Sequence, residues 1–180
     1  MLLAHRHQWV WGLFFCWLVF SALAFWWFQF RYIGAFDDYW ATFNGSAFNE
    51  IKVKPHNATV LVVHFVEPKC PCSRFSVSHI QRLEAEFKGE VEFVDLLTMP
   101  DSDPRKAILN SISIPAGPSV AVWDSDGELA YFGPYSGGSF CGQGTDFVSL
   151  TLNALAEQQN PRWINQEAVG CYCAWHNAEK

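Results

Sequence analysis

The strongest pattern along the chain is an uncharged apolar run, Trp9 to Phe28 (WVWGLFFCWLVFSALAFWWF). At about 1.5 Å per helical residue it is long enough to cross the hydrocarbon core of a bilayer. Trp9 and Trp11 stand at one end and Trp26, Trp27 and Tyr32 at the other, where interfacial aromatic side chains belong. Residues 9–30 are therefore expected to form a transmembrane anchor, preceded by a cytoplasmic N-terminus at residues 1–8. Ala22-Leu23-Ala24 also has the small-residue form of a signal-peptide cleavage site. The apolar run continues straight through it as Phe25-Trp26-Trp27-Phe28, which favours an uncleaved helix. Arg6 before the span and Arg31 after it give only a slight positive-inside bias. The expected arrangement is a single pass through an inner membrane with the soluble part in the periplasm. Cys16, in mid-span, reads as an inert apolar residue, because a thiolate there would be very costly.

A connector of mixed polarity occupies residues 31–57. Within it Phe36, Tyr39, Trp40 and Phe43 recur at helical spacing, as a short amphipathic helix or as core aromatics. The period then changes. Ala58–Val66 (ATVLVVHFV) is a near-continuous β-branched run, the pattern of a strand buried on both faces. Pro71 to Phe87 predicts a helix with Phe75, Ile80, Leu83 and Phe87 facing inward, ended by Gly89. Glu90–Leu96 predicts a second strand. Ser102-Asp103-Pro104 opens a short helix running to about Ile112. Ser119–Trp123 and Glu128–Phe132 predict a hairpin across the turn Asp124-Ser125-Asp126-Gly127. A last helix spans about Thr145 to Gln158, with Phe147, Leu150, Leu152, Ala154 and Leu155 on its buried side. The early crossovers imply parallel pairing and the late tight turn an antiparallel hairpin, so the expected fold is α/β with a mixed sheet.

Composition narrows the chemistry. Half of the 180 residues are hydrophobic and 17% are charged, which excludes general disorder. A net charge of −6 without a Lys/Arg cluster argues against nucleic-acid binding. Six cysteines are too few for a disulfide-packed miniature scaffold, so reactivity or metal binding is the better reading.

Cys70-Pro71-Cys72-Ser73 falls where the first strand of the soluble part gives way to its helix. With Pro71 at the first helical position, Cys70 becomes the N-cap, beside unpaired N–H groups and the positive end of the helix dipole. Lys69 and Arg74 add positive charge, and all of these favour the reactive thiolate. Cys70 is thus the candidate nucleophile, open to solvent, and Cys72 its candidate resolving partner. A Cys70–Cys72 bridge would close only a small strained ring, which is readily reduced.

At this point the chain resembles the thioredoxin superfamily. The segment VLVVHFVEPKCPCSRFSVSHIQRL is similar to that family's strand, active-site turn and long helix. The resemblance implies a thioredoxin-like three-layer α/β/α domain over residues 58–158. It puts Cys70 on the nucleophilic cysteine and Ser73 on the position of the second one, so this chain departs from CxxC. It also puts His64 on a buried acidic residue that assists proton transfer, although a core histidine is the simpler role. Pro118, in Ala116-Gly117-Pro118-Ser119, falls on the cis-proline facing the active cysteine, with Ile114-Pro115 as the alternative. His79 reads as a surface residue.

Cys141 lies in a Gly-rich stretch, and Cys171-Tyr172-Cys173 lies in the tail, residues 159–180. Apart from Cys16 this leaves five cysteines, so at least one is free or pairs between chains. Cys171 and Cys173 either exchange disulfides with Cys70 and Cys72, with Cys141 as a third stop, or a static bridge, for instance from Cys141 to Cys171 or Cys173, pins the tail to the core. The expected function is membrane-anchored thiol–disulfide exchange on exported protein thiols. No organic cofactor is implied, and no metal site is assigned. The rivals are a thiolate site delivering copper or zinc, with His79 or His176 nearby, and a redox-silent scaffold.

Overall fold

The computed structural model describes residues 2–36, 48–138 and 144–175. Tyr39, Trp40, Phe43, Cys141 and His176 lie outside the described residues. The chain divides into two compact units, Met1–Ile33 and Gly34–Lys180. The first is essentially α1 (Leu2–Phe30), which contains Trp9–Phe28, a helical stretch long and apolar enough to cross a membrane. A short strand, β1 (Ile33–Ala35), follows.

In chain order the second unit carries β2 (Val60–Phe65), α2 (Pro71–Glu86), β3 (Val91–Asp95), α3 (Pro104–Asn110), β4 (Ala116–Gly117) and β5 (Ser119–Trp123). It continues with β6 (Leu129–Gly133), α4 (Phe147–Ala156), β7 (Trp163–Ile164), β8 (Val169–Cys171) and β9 (Cys173–Ala174). Five of these strands form a mixed sheet in the order β3-β2-β5-β6-β7. The continuous apolar run makes β2 an inner strand, buried along its whole length.

Helix length decides strand direction. The 16 residues of α2 extend about 24 Å, enough to carry the chain back along β2, and β3 pairs parallel to it. The 7 residues of α3 extend only about 10 Å, so the chain re-enters the sheet at the end it had left. There β5 pairs antiparallel to β2, with Ser119 opposite Phe65, while Asp95 of β3 lies opposite His64. The second crossover is therefore antiparallel, against the parallel pairing expected of it. The consequence matters for chemistry: the start of α2, the end of β3 and Pro118 all gather at one end of the sheet.

Alternation along β2 sends Leu61, Val63 and Phe65 to one face and Val60 and Val62 to the other. The first face is covered by Phe36, Phe48, Val53, Leu109, Tyr172 and Trp175, so residues before β2 and in the tail belong to the core. Trp123 fixes the segment before β2 by donating its Nε1–H to the Ile51 carbonyl at 3.1 Å. The second face is covered by Leu83 of α2 and Val148 and Leu152 of α4. Two inward assignments made from periodicity fail. Phe75 is 61% exposed and Leu150 is 54% exposed. The buried stripe of α2 is instead Cys72, Ser73, Ser76, His79 and Leu83, and that of α4 is Val148, Thr151 and Leu152. In α2 Leu83 is buried and Ile80 and Phe87 pack against the core as expected, but the first turns of its buried stripe are small or polar, so hydrophobicity alone misplaced Phe75.

Candidate functional site

The local sequence builds a sharp strand-to-helix turn after β2. The Cys70 N–H donates to the Glu67 carbonyl at 3.0 Å, and the Ser73 N–H donates to the Cys70 carbonyl at 3.1 Å. Cys70 is the N-cap of α2, in extended conformation (φ −77°, ψ 123°), with Pro71 next in the helix. Proline is tolerated there because the N–H it lacks would have had no helical partner. Lys69 and Arg74 flank the turn as exposed cations.

The sulfur atoms are not paired as the spacing suggested. Cys70 is bonded to Cys173 and Cys72 to Cys171, with Cα–Cα separations of 5.9 and 5.5 Å. No bridge joins Cys70 to Cys72; the expected tie between tail and core is made by Cys173 and Cys171 to Cys70 and Cys72, in place of Cys141, which lies outside the described residues. The expectation of a solvent-open Cys70 is also corrected: it is 3% exposed and Cys72 is fully buried. The cause is the tail. Strand β9 pairs antiparallel with β4, placing Cys173 opposite Gly117 and Ala174 opposite Ala116. Trp175 then covers the end of the sheet, edge-on to Phe65 at 6.0 Å.

Gly117 is where this cover fits closest. A Cβ there would lie 3.1 Å from the Phe65 carbonyl oxygen and 3.2 Å from the Trp175 ring. The Cys70 sulfur lies 3.9 Å from the Gly117 carbonyl oxygen. The Gly117–Pro118 peptide bond is cis. Pro118, Ser76, Tyr135 and Cys171 line one small cavity beside the second bridge. Ser73 is buried, and its hydroxyl has no hydrogen-bond partner among the described residues.

Two histidines stand behind the bridges. His64 Nδ1 is hydrogen-bonded to the Tyr135 hydroxyl at 2.6 Å, and its ring stacks on Phe93. Its Nε2 lies 3.9 Å from a Glu84 carboxylate oxygen. Burial lowers the His64 pKa from 6.5 to about 4. His79 is not a surface residue: it is 3% exposed, 3.2 Å from an Asp146 carboxylate oxygen and 3.0 Å from the Arg82 guanidinium. Burial works against the Asp146 carboxylate, but hydrogen bonds from His79 and the Ser149 N–H outweigh it, and its pKa falls below the usual value.

The His64 shift carries a pH prediction. The folded form resists protonation while the unfolded chain takes up a proton near 6.5, so stability falls as pH drops from about 6.5 to about 4. The loss through this one group is on the order of 3 kcal/mol. Urea midpoints at neutral pH and near pH 4 should show it, and His64→Gln should remove that part of the slope. An unchanged slope in the variant would place the titration elsewhere.

Residues 41–175 match the family described as a domain of unknown function, DUF6436. The chain belongs to that family. The DUF6436 match takes in the segment before β2, the cysteine turn and the tail cysteines together. No curated protein matches the chain. Among solved structures, an uncharacterized conserved protein from Geobacillus kaustophilus is 17% identical, with a TM-score of 0.44, covering 65% of this chain and 76% of its own. A hypothetical protein from Sinorhizobium meliloti 1021 is 13% identical, with a TM-score of 0.45, covering 79% of this chain and 90% of its own.

The structure brings together Cys70, Cys72, Cys171, Cys173, Pro71, Ser73 and Pro118 at one end of the sheet, with His64 behind them. Sequence reasoning missed Tyr135, the buried His79 and the covering Trp175. Only the one-residue alternation of Cys171-Tyr172-Cys173 hinted at the tail's role, since it sends two sulfurs to one side and Tyr172 to the other.

Proposed function

We propose that this DUF6436 protein is a membrane-anchored thiol–disulfide oxidoreductase with a thioredoxin-like domain, acting on protein thiols and disulfides outside the inner membrane. The observation that carries the reading is the cross-bonding of two cysteine pairs, Cys70 and Cys72 with Cys173 and Cys171, at the start of α2. The placement of Cys70 at a helix N-cap favours it as nucleophile and as leaving thiolate, with Lys69 and Arg74 adding positive charge. Pro118, next to the strand that pairs with Cys173, positions the chain that approaches Cys70. Two bridges also suit an oxidising compartment, in keeping with a periplasmic domain behind the apolar α1.

In the reduced protein the Cys70 thiolate attacks a substrate disulfide. A mixed disulfide forms, and one substrate sulfur leaves as thiolate and takes a proton from solvent. Cys173 thiolate then attacks the Cys70 sulfur, closing Cys70–Cys173 and releasing the second substrate thiol. Two electrons pass from the protein to the substrate. Cys173 replaces Cys72 as the resolving group because it is the partner bonded to Cys70. Cys72 and Cys171 hold a second pair of electrons, passed on by the same kind of exchange. No organic cofactor takes part.

The test uses full-length protein in detergent micelles, reducing a protein disulfide with a dithiol as electron source. Cys70→Ser is expected to cut turnover at least 100-fold, and Cys173→Ser to accumulate the mixed disulfide. Unchanged turnover in Cys70→Ser refutes the assignment, and no turnover in the wild type favours the redox-silent scaffold.

A further inference from the structure

The four bridged cysteines have a second capacity that disulfide exchange does not use. We propose that in the reduced protein Cys70, Cys72, Cys171 and Cys173 bind one zinc ion as a four-thiolate site, and that the bridged state is the form that excludes it.

Geometry is the first support. The Cys70, Cys72 and Cys173 sulfurs all lie within 4.8 Å of one another. The fourth sulfur, Cys171, is bonded to Cys72 but falls outside that close cluster, so it completes the site only by swinging in once the bridge is reduced. In a tetrahedral zinc site, sulfurs about 2.3 Å from the ion lie about 3.8 Å from each other. The folded backbone therefore already holds three of the four sulfurs near that spacing, and reduction frees the bridged pairs to open to it.

One residue between cysteines is ordinarily too short a spacing for chelation. Here the two halves escape that objection by different means. Cys70 is extended while Cys72 is helical, so the turn through Pro71 brings both sulfurs to the start of α2. In the tail, alternation sends Cys171 and Cys173 to one side and buries Tyr172 on the other, edge-on to Phe36 at 5.3 Å. Each pair thus acts as a rigid two-point clamp, and β4–β9 pairing holds the clamps face to face.

The surroundings suit a closed site. Cys70 and Cys72 are buried and Cys171 and Cys173 partly so, and four thiolates would fill a tetrahedral ion's coordination, as in zinc sites that stabilise rather than catalyse. The ion with four thiolates carries two negative charges, which the N-terminus of α2 and the neighbouring Lys69 and Arg74 offset. The buried Ser73 hydroxyl, without a partner among the described residues, adjoins Cys72 and can donate to a thiolate.

The chemistry balances. Two equivalents of a dithiol reduce two protein disulfides to four thiols and leave as two oxidised dithiols. One Zn²⁺ then replaces four thiol protons, which pass to solvent. No electrons move in the metal step. Bound zinc keeps all four sulfurs from re-forming bridges and from attacking a substrate, so it silences exchange. The inference stands without the exchange reading, because it needs only the three clustered sulfurs and the fourth bonded to one of them.

The experiment titrates full-length protein in micelles, reduced by dithiol and handled without oxygen, with Co²⁺ as spectroscopic probe and then with Zn²⁺. One Co²⁺ per chain is expected, with sulfur-to-cobalt charge transfer and the strong visible bands of a tetrahedral site. One equivalent of Zn²⁺ should abolish them. The untreated, bridged protein should give no such spectrum. The pair Cys171→Ser with Cys173→Ser should lose the four-sulfur spectrum and bind zinc at least 100-fold more weakly. Its folding is checked against reduced wild type, where neither protein has bridges. A reduced wild type that binds no cobalt, that gives an octahedral spectrum, or that binds no better than the paired variant would overturn the proposal. Failure of exchange with zinc binding intact would reject only the redox reading.

Discussion

Removing both bridges should cost the domain about 7 kcal/mol of stability, whereas removing either one alone should cost only about 2 kcal/mol. The asymmetry comes from topology. The bridges span 103 and 99 residues, yet their ends lie only two positions apart on each side. Whichever bridge forms first closes a loop of about 100 residues, worth about 4.7 kcal/mol of denatured-state entropy. The other then closes a ring of about six residues and restricts the unfolded chain much less. Cys72→Ala with Cys171→Ala, Cys70→Ala with Cys173→Ala, and the fourfold variant should be compared by urea denaturation of the full-length protein. The fourfold loss should exceed the sum of the other two by about 2–3 kcal/mol. Plain additivity would mean that the bridges stabilise independently and not through a shared loop closure.

The second large effect is expected at Trp175. Its ring is 2% exposed and lies against Phe65 and Gly117, so Trp175→Ala should cost about 3–5 kcal/mol. Because that packing holds the tail over Cys70, much of the cost falls on local opening. Reduction of the bridges by a small dithiol should accelerate about 100-fold, a tenfold gain for each 1.4 kcal/mol taken from the opening step. Trapping of free thiols against time reads this directly. An unchanged rate would mean that reductant reaches the sulfurs without lifting the tail.

Much of the frame was legible because it rests on local rules. The β-branched run gave β2, Asp103 gave the N-cap of α3 by accepting from the Arg105 N–H, and Pro71 placed Cys70 at the head of α2. The N-terminal helix, long and apolar enough to cross a membrane, was legible from length and apolarity. Errors arose where distant segments compete for one surface. Phe75 looked like a core residue because it is large and apolar, but α2 turns Cys72, Ser76 and His79 inward around the sulfurs and the Tyr135 hydroxyl. Phe36 does join the core, one of the two roles its spacing left open, whereas Phe48 could not be assigned there without knowing that the segment before β2 folds over the sheet. The cysteine pairing was hardest. Spacing describes neighbours, and the partners of Cys70 and Cys72 sit about a hundred residues away, brought in by a two-residue strand that no periodicity announces.

That separation also sets an order of events at the ribosome. Cys70 and Cys72 are synthesised 103 and 99 positions ahead of the residues that hold them. At about 5–20 residues per second, the first pair exists for roughly 5–20 s before the second has been made. A nascent chain in that interval presents two unclaimed thiols to any oxidant it meets. Maturation is therefore timed by the arrival of Cys171 and Cys173, and a translation product halted before them carries the reactive pair uncapped.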